Sequence, residues 1–249
     1  TAGLTTTKIL FNSVLSTAHA KFMALDISNM YLNTHLKDFQ YMKFRLNIIP
    51  QDVIDQYNLL DLVDKDGWVY CEIRKAIYGL KESGKLANIQ LKKVLANADY
   101  HPCRFTHGLY RHKTRPIAFS LVVDDFGVKY TNKCDAEHLL SVLSAKYPMK
   151  ADWTGTRYLG MSLKWTYANI HKDRNVQLSM PGYVNESLIL FGHILKTPTH
   201  AASPYTAPIY GKHQQMATVI TAPTFTDKEV KRLQKICGRF LYYARAIDS

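Results

Sequence analysis

Two adjacent aspartates stand inside a segment that otherwise has the composition of a buried strand. In AFSLVVDDFGVKY (residues 118–130), apolar residues lead up to Asp124 and Asp125, and more apolar residues follow them. Two ionised carboxylates about 4 Å apart repel each other by roughly 4 kcal/mol at an effective dielectric constant of 20. A buried strand end tolerates this repulsion when one carboxyl group is protonated or when a cation is bound. Mg²⁺ suits the second case, because it prefers carboxylate oxygens and commonly combines one or two of them with substrate phosphates.

A third carboxylate from another strand would help to complete such a site. Successive side chains of a regular strand point to opposite faces, so adjacent aspartates can act together only where a tight turn relaxes the alternation. Asp26 also interrupts an apolar, strand-like run, in LDISNMYL (25–32), and is the natural third donor. Aspartate pairs are also common in turns and helix caps, so a purely structural turn remains the alternative from these residues alone.

Alternating helix and strand patterns surround the acids. Helical spacing covers 4–20, 83–98, 135–147 and 183–195, and strand patterns cover 22–32, 41–46 and 68–73. Residues 108–131 predict a hairpin with its turn near 112–116, and 157–167 with 175–182 predict another. No Gly-rich phosphate loop accompanies the strands, so an α+β fold with an antiparallel sheet backed by helices is favoured over a dinucleotide-binding type.

The C-terminal part of the chain carries most of the charge excess. A Pro- and Thr-rich stretch, 197–226, predicts an extended linker before a basic helix over 226–246, whose start fits a capping box at Thr226 and Glu229. The net charge is +12, with 16 basic against 12 acidic residues in 1–125 and 16 against 8 in 126–249. Such an excess favours a polyanionic partner, either nucleic acid or an anionic membrane surface.

Several classes of protein are disfavoured by composition. No apolar run approaches the ~20 residues that span a bilayer, and no secretory signal pattern is present. The four cysteines form no CxxC pair, which favours a reduced, intracellular protein. The chain starts at Thr1 and stops within a helical pattern, as expected for a piece of a longer protein.

Five segments, in order, resemble the reverse transcriptase domain of copia-type LTR retrotransposons. LVVDDFGVKY (121–130) resembles the strand–turn–strand aspartate motif, and MALDISNMYL (23–32) resembles its companion, with an aromatic residue five positions after the aspartate. KAIYGLKESGKLAN (75–88) is similar to K-A-L-Y-G-L-K-Q-S-P-R-A-W. YPMKADWTGTRYLGMSL (147–163) resembles the F-x-M-K-D-x-G and F-L-G runs, and PGYVNESL (181–188) with a later TAP resembles the Q-x-x-Y and T-P segment.

The resemblance implies an RNA- and DNA-templated DNA polymerase that uses two Mg²⁺ ions, for which Mn²⁺ can substitute. It assigns Asp26, Asp124 and Asp125 as catalytic metal ligands, with Asp125 the less direct one, and Lys150 as the general acid for pyrophosphate. The resemblance further implies that the nucleotide or template is contacted by Ile27, Tyr31, Tyr78, Gly79 and Lys81. It implies a primer grip formed by Tyr158, Leu159 and Gly160. The Tyr31 ring would exclude the ribose 2′-hydroxyl and so select dNTP.

The resemblance also implies a right-handed polymerase architecture. Residues 1–33 would begin the fingers and palm with the first catalytic strand, 34–82 would belong to the fingers, 83–167 to the palm, and 168–249 to an incomplete thumb or connection. The expected partners are an RNA template, a DNA primer or duplex, dNTP, and the rest of a retroelement polyprotein with its RNase H and integrase. No membrane partner is expected.

Some positions depart from the family pattern. Val122 stands where many relatives have Tyr or Phe, Gly84 where they often have Pro, and Asn88 where they often have Trp or Tyr. Basic finger strands that clamp the triphosphate precede this segment in the family, so the 249 residues alone are expected to polymerise weakly or not at all. Two alternatives stay open: a retroelement relic that binds nucleic acid without catalysis, and a metal-dependent nuclease or phosphatase.

Overall fold

The computed structural model describes residues 1–167, 174–192 and 224–248. The chain divides into two compact units, Thr1–Gln177 and Leu178–Ser249. In chain order the helices are α1 Leu4–Ser16, α2 Gln51–Gln56, α3 Ser83–Asn97, α4 Lys133–Ser144, α5 Tyr183–Leu190 and α6 Asp227–Tyr243. The strands are β1 Lys21–Ile27, β2 His35–Arg45, β3 Trp68–Lys75, β4 Tyr100–Pro102, β5 Leu109–His112, β6 Ile117–Val122, β7 Asp125–Tyr130, β8 Met149–Asp152, β9 Arg157–Tyr158, β10 Met161–Thr166 and β11 Asn175–Ser179.

The largest element of the first unit is a six-stranded sheet in the order β4-β5-β6-β7-β1-β8. Each pair of neighbouring strands in this sheet is antiparallel. A two-stranded ribbon of β2 and β3 and a three-stranded sheet in the order β11-β10-β9 complete the strands. The predicted mixture of helices and antiparallel sheet is therefore confirmed. No helix among the described residues is long and apolar enough to cross a lipid bilayer.

One face of the six-stranded sheet is the core face. Alternate β1 residues, Met23, Leu25 and Ile27, are almost fully buried, as the period-2 geometry of a strand requires. They pack in one cluster with apolar residues of the neighbouring strands and of two helices. Helix α3 contributes Ala87, Leu91 and Leu95, and α4 contributes Ala136, Leu139 and Leu143. These two helices therefore back the sheet, as the sequence predicts.

The opposite face of the sheet carries small residues near its centre. Ala24 of β1 pairs with Gly127 of β7, and Gly127 pairs in turn with Ser120 of β6. The Tyr158 ring fills the space above Gly127, and its hydroxyl donates to the Ser120 carbonyl at 3.2 Å. Phe11 of α1 packs edge-on against Tyr158, with ring centroids 6.3 Å apart. Small residues on this face thus make room for large side chains that come from α1 and β9.

The first strand ends earlier than its apolar pattern suggests. Residues 22–32 predict one strand, but β1 ends at Ile27, and Met30–Asn33 form a 3₁₀ turn. Asn29 has φ 52°, a left-handed conformation that breaks the strand. Sequence periodicity also misses the β9–β10 hairpin inside RYLGMSLKWTY (157–167), whose two-residue loop, Leu159 and Gly160, has positive φ at both positions, as in a type I′ turn.

The second unit contains the predicted C-terminal helix. The Thr226 hydroxyl accepts a hydrogen bond from the Glu229 amide, and the Glu229 carboxylate accepts one from the Thr226 amide. The predicted capping box is therefore confirmed. Helix α5 ends at Leu190; the end of the predicted helix, 193–195, and the predicted linker up to residue 223 lie outside the described residues.

Gly127→Ala tests the packing between Tyr158 and the sheet. A Cβ atom at residue 127 would lie 2.8 Å from Tyr158 Cζ and 3.0 Å from Ser120 Oγ. We expect the free energy of unfolding, measured by urea titration, to fall by about 1–3 kcal/mol, because the added methyl group overpacks a closed site.

Gly84→Ala is the matched control. A Cβ atom there meets nothing closer than Tyr31 Oη at 3.7 Å, and alanine is favoured over glycine within a helix by up to about 1 kcal/mol. This variant should be as stable as the parent chain or more so. Equal urea midpoints for Gly127→Ala and the parent would contradict the packing argument.

Candidate active site

A two-residue turn between β6 and β7 brings the acidic pair to the end of the sheet. Val123 and Asp124 form the turn, and Asp125 is the first residue of β7. Val123 has φ 58°, a conformation that is strained for a β-branched residue. Because of this turn, the two aspartates need not point to opposite faces as they would in a regular strand. Asp125 is part of β7, whereas Asp124 lies in the turn at the end of the strands.

Antiparallel pairing places the third aspartate beside this turn. Asp26 of β1 is the direct partner of Asp125, and the Ile27 amide donates to the Asp124 carbonyl at 3.1 Å. Directly opposed residues of an antiparallel pair project to the same face of the sheet. Asp26 therefore lies on the same side as Asp125.

The carboxylates are close enough to influence each other's protonation. Burial, and then the charges of Asp124 and Asp26, raise the pKa of Asp125 to about 6. Burial also raises the pKa of Asp124, and the Asp26 charge adds to this increase. Charge repulsion is what the sequence predicts when these acids meet without a cation.

The three carboxylates fit a cation whose coordination shell is completed by oxygen atoms of the substrate. Within 1–167, 174–192 and 224–248, no three His, Cys, Asp or Glu side chains are arranged as a protein cage for one metal ion. Mg²⁺ does not require such a cage, since it commonly binds one or two carboxylates together with substrate phosphates and water. Three mutually repelling carboxylates, all of them oxygen donors, match that chemistry.

Lys150 extends the row of charged residues onto the next strand. It is exposed on β8 and is the direct partner of Asp26, on the side of β1 away from Asp125. Asp125, Asp26 and Lys150 thus occupy facing positions on three adjacent strands, about 4.8 Å apart from strand to strand. A cationic amine next to the carboxylates can neutralise charge or carry a proton.

Two tyrosines stand close to the carboxylates. The rings of Tyr31 and Tyr78 meet edge to face, with centroids 4.7 Å apart. Desolvation raises the pKa of the Tyr78 hydroxyl, and the charges of Asp124 and Asp26 raise it further. Tyr78 therefore lies within the electrostatic field of the acids.

The predicted nucleotide-binding residues divide between two cavities. Tyr31 lines a cavity of about 360 Å³ together with Gly84, Lys85, Asn88 and Val123. Gly79 and Lys81 line a different one, of about 440 Å³, beside residues of β2. Of the predicted set, Tyr78 contacts Tyr31, whereas Gly79 and Lys81 belong to the neighbouring surface.

Two backbone amides near the acids already have partners. The Ile27 side chain is fully buried, and its amide donates to Asp124. The Ser28 amide donates to the Pro148 carbonyl at 2.9 Å. Neither amide is free to hold a triphosphate in this arrangement.

The predicted primer-grip residues have different environments. The Tyr158 side chain is 3% exposed, and burial raises the pKa of its hydroxyl strongly. Leu159 and Gly160 form the more accessible tip of the β9–β10 hairpin. Tyr158 therefore anchors the hairpin to the sheet, and the tip is the part that another molecule can reach.

Val123 and Asn88 are site residues that sequence reasoning did not select. Both line the cavity beside Tyr31. A β-branched residue at a positive-φ turn position has no sequence signal, because Gly, Asn and Asp are the usual choices there. Asn88 follows Gly84 by one turn of α3, so it lies on the same side of the helix. Only the contact between α3 and Tyr31 shows that this side lines the cavity.

The pH dependence of stability provides a test of carboxylate repulsion. The pKa of Asp125 is raised to about 6 from 3.8, so the folded chain binds the proton more tightly than the unfolded chain. This carboxyl group therefore lowers stability as pH rises from about 4 to above 6. In metal-free buffer, we expect Asp125→Asn to be more stable than the parent at pH 7.5, by about 1 kcal/mol after allowance for solvent screening, and not at pH 4.

Urea titration at both pH values measures this difference. Asp38→Asn, at an exposed position of β2, is the control and should show no such pH-dependent gain. A stability difference between Asp125→Asn and the parent that is the same at pH 4 and pH 7.5 would rule out the electrostatic explanation.

Comparison with known proteins identifies the family of this chain. Residues 8–189 match the family described as reverse transcriptase (RNA-dependent DNA polymerase). A retrovirus-related Pol polyprotein from transposon RE2 of Arabidopsis thaliana is 27% identical over 149 residues, which cover 59% of this chain and 9% of that polyprotein. The chain thus spans a small part of the length of this relative. The resemblance inferred from the sequence motifs is confirmed, and the chain belongs to the reverse transcriptase family.

Proposed function

We propose that this chain is the polymerase domain of a retrotransposon polyprotein and extends a DNA primer on an RNA or DNA template. The observation that carries the proposal is the row formed by Asp125 and Asp26 on paired strands, with Asp124 at the adjoining turn. Nucleotidyl transfer needs divalent cations held beside the primer end and the triphosphate. The raised pKa values of Asp124 and Asp125 support a site whose charge a cation would balance.

Each residue then has a specific task. Asp26 and Asp124 would hold the ions, and Asp125 would add negative charge and orient the turn. When bound, two Mg²⁺ ions would supply activation of the primer 3′-hydroxyl and charge stabilisation at the triphosphate. Lys150, the strand partner of Asp26, protonates the leaving pyrophosphate. Because it is exposed and next to the carboxylates, it can approach a negatively charged leaving group.

Tyr31 provides the selection between sugars. Its ring is held by the edge-to-face contact with Tyr78 and faces the cavity lined by Gly84 and Asn88. A ring held by Tyr78 at the wall of this cavity would occupy the space that a ribose 2′-hydroxyl needs, so the site would accept dNTP. Gly79 and Lys81, in the neighbouring cavity, contact the template or the nucleotide phosphates.

The other proposed regions hold the nucleic acid. We assign residues 1–33 to the start of the fingers and palm, 34–82 to the fingers, 83–167 to the palm, and 168–249 to an incomplete thumb or connection. In α6, Arg239 donates to Ser187 of α5, and Arg232 donates to the carbonyl of Phe191, the residue that follows α5. The exposed lysines at 228, 231 and 235 are left to contact the duplex backbone. The tip at Leu159 and Gly160 contacts the primer strand.

Removal of a proposed metal ligand tests the catalytic assignment. We expect the chain to bind Mn²⁺ detectably by electron paramagnetic resonance, and Asp124→Asn to weaken this binding and to reduce any primer extension by about 100-fold or more. Asp99→Asn is the matched control, since Asp99 is an exposed acid with φ 60°, a conformation that asparagine adopts readily.

The same experiment separates the alternative functions. Extension of a labelled primer supports the polymerase, whereas duplex binding without Mn²⁺ binding or extension indicates a relic. Metal-dependent shortening of the primer indicates a nuclease. Because the Mn²⁺ signal does not depend on turnover, a chain that needs further residues for activity still gives a decisive result.

Tyr31→Val tests the sugar selection. Loss of the ring should increase rNTP incorporation relative to dNTP by about 10–100-fold, the range available to a steric pocket contact. Tyr31→Phe keeps the ring and should retain the parent's selectivity. Unchanged discrimination in Tyr31→Val, measured as a ratio of kcat/KM values in the extending protein, would remove Tyr31 from this role.

A further inference from the structure

A basic cavity lies at the opposite end of the sheet face that carries the acids. It has a volume of about 250 Å³ and is lined by Arg111, Arg115 and Lys129 together with the hydroxyl residues Ser13, Thr17 and Thr131. No Asp or Glu of the described residues lines it. Nothing in the proposed polymerase chemistry uses these residues.

Strand register creates the cavity. Arg111 of β5 pairs with Ala118 of β6, and Ala118 pairs with Lys129 of β7. The two cationic side chains therefore project from the same face on either side of an alanine. Because the alanine side chain is small, it leaves a depression between them. The C-terminal part of α1, with Ser13 and Thr17, forms a wall.

Lys129 is held in place without a counter-ion. Its Nζ donates to Ser13 Oγ and to Thr17 Oγ1, each at 2.7 Å. Both partners are neutral, so these bonds orient the amine without balancing its charge. Burial, and then the Arg111 charge, lower the pKa of Lys129. Arg111 and Lys129 therefore repel each other within the cavity.

Among the described residues, Arg115 is the one cation of the cavity with a carboxylate partner. Arg115 donates to Asp135 at 2.8 Å, and the Asp135 side chain is 8% exposed. That pair leaves the charges of Arg111 and Lys129 uncompensated. We propose that this cavity is a phosphate-binding site, in which Arg111 and Lys129 balance the charge and the surrounding hydroxyls donate to the phosphate oxygens.

A phosphate group fits better than a carboxylate or a halide. The cavity is several times larger than the ~30 Å³ that one water occupies, so it accommodates a tetrahedral oxyanion. Donors reach it from a helix, from two strands and from the β5–β6 turn, and converging donors suit an acceptor with oxygens in several directions. The phosphate can be free inorganic phosphate or part of a nucleic-acid backbone.

A purely structural role for Lys129 makes a different prediction. Its bonds to Ser13 and Thr17 join α1 to β7, and an amine near a helix C-terminus is favourable by itself. That role does not involve Arg111, which is exposed and has no ion pair among the described residues. Arg111 is therefore the residue to change, because its removal spares the contact between α1 and β7.

Thermal unfolding of the 249-residue chain tests the proposal. Sodium phosphate is added to a phosphate-free buffer at constant ionic strength, and the Tm of the parent should rise by about 3–6 °C near ten times the dissociation constant. In Arg111→Gln the rise should be lost. Without phosphate, this variant should have a Tm equal to or above that of the parent, because one repulsive charge is gone.

Two controls make the result specific. Arg104→Gln removes an exposed arginine that lies over Phe105 and outside the cavity, and it should keep the parent's phosphate response. Asp124→Asn, which removes a proposed metal ligand, should keep it as well, so failure of the polymerase proposal leaves this one testable. No Tm rise in the parent, or an equal rise in Arg111→Gln, overturns the proposal.

Duplex binding identifies the source of the phosphate. A backbone phosphate in the site gives three results in Arg111→Gln. Binding of a labelled DNA duplex is weaker, the slope of log binding constant against log salt concentration is smaller by about 1, and free phosphate no longer competes with the duplex. If duplex affinity is the same in the parent and the variant while the Tm response differs, the site holds free phosphate.

Discussion

Burial of the core face of the sheet is the constraint that holds three mutually repelling acids together. Asp26 and Asp125 face each other because Leu25 pairs with Phe126 and Met23 with Val128 on the other side of the same strands. A slip of one residue would expose that apolar row and bury the acids. Burial of the core face thus fixes the register, and the register holds the carboxylates together against their repulsion.

The face with the acids needs small residues as much as charged ones. Gly127 lies two positions after Asp125, and its missing side chain admits the Tyr158 ring. Through Tyr158 the β9–β10 hairpin is fixed to the same strand that carries Asp125. The acidic turn and the hairpin tip are therefore positioned by one strand, so a change in the packing at Gly127 is transmitted to both.

Local sequence patterns predict most of the elements but few of their pairings. The capping box at Thr226, helix α3 and the turn between β5 and β6 all follow from short-range signals, and each is present. The acidic pair signals a site because charge in an apolar strand is unusual. Asp26 is predictable for the same reason. Its position opposite Asp125 is not, because the two residues are far apart in the sequence and no local periodicity encodes their pairing.

The parts that sequence reasoning could not predict are those made by register and close approach. Tyr158 matches a family motif, yet its burial follows from Gly127, thirty-one positions earlier. Residues 22–32 are apolar enough for one strand, but Asn29 in a left-handed conformation ends the strand early. The basic cavity is similarly hidden in the sequence, since Arg111 and Lys129 become neighbours only through Ala118.

At each end of this sheet face, a charged side chain is partly buried beside a like charge; the charges are negative at one end and positive at the other. Asp125 and Lys129 are four residues apart on β7, about 14 Å at 3.4 Å per residue. Burial next to like charge raises the pKa of Asp125 and lowers the pKa of Lys129, so at each end the ligand-free fold disfavours the charge it carries. A cation at one end and a phosphate at the other would each relieve this cost. If both proposals hold, this one strand binds ligands of opposite charge at two fixed points.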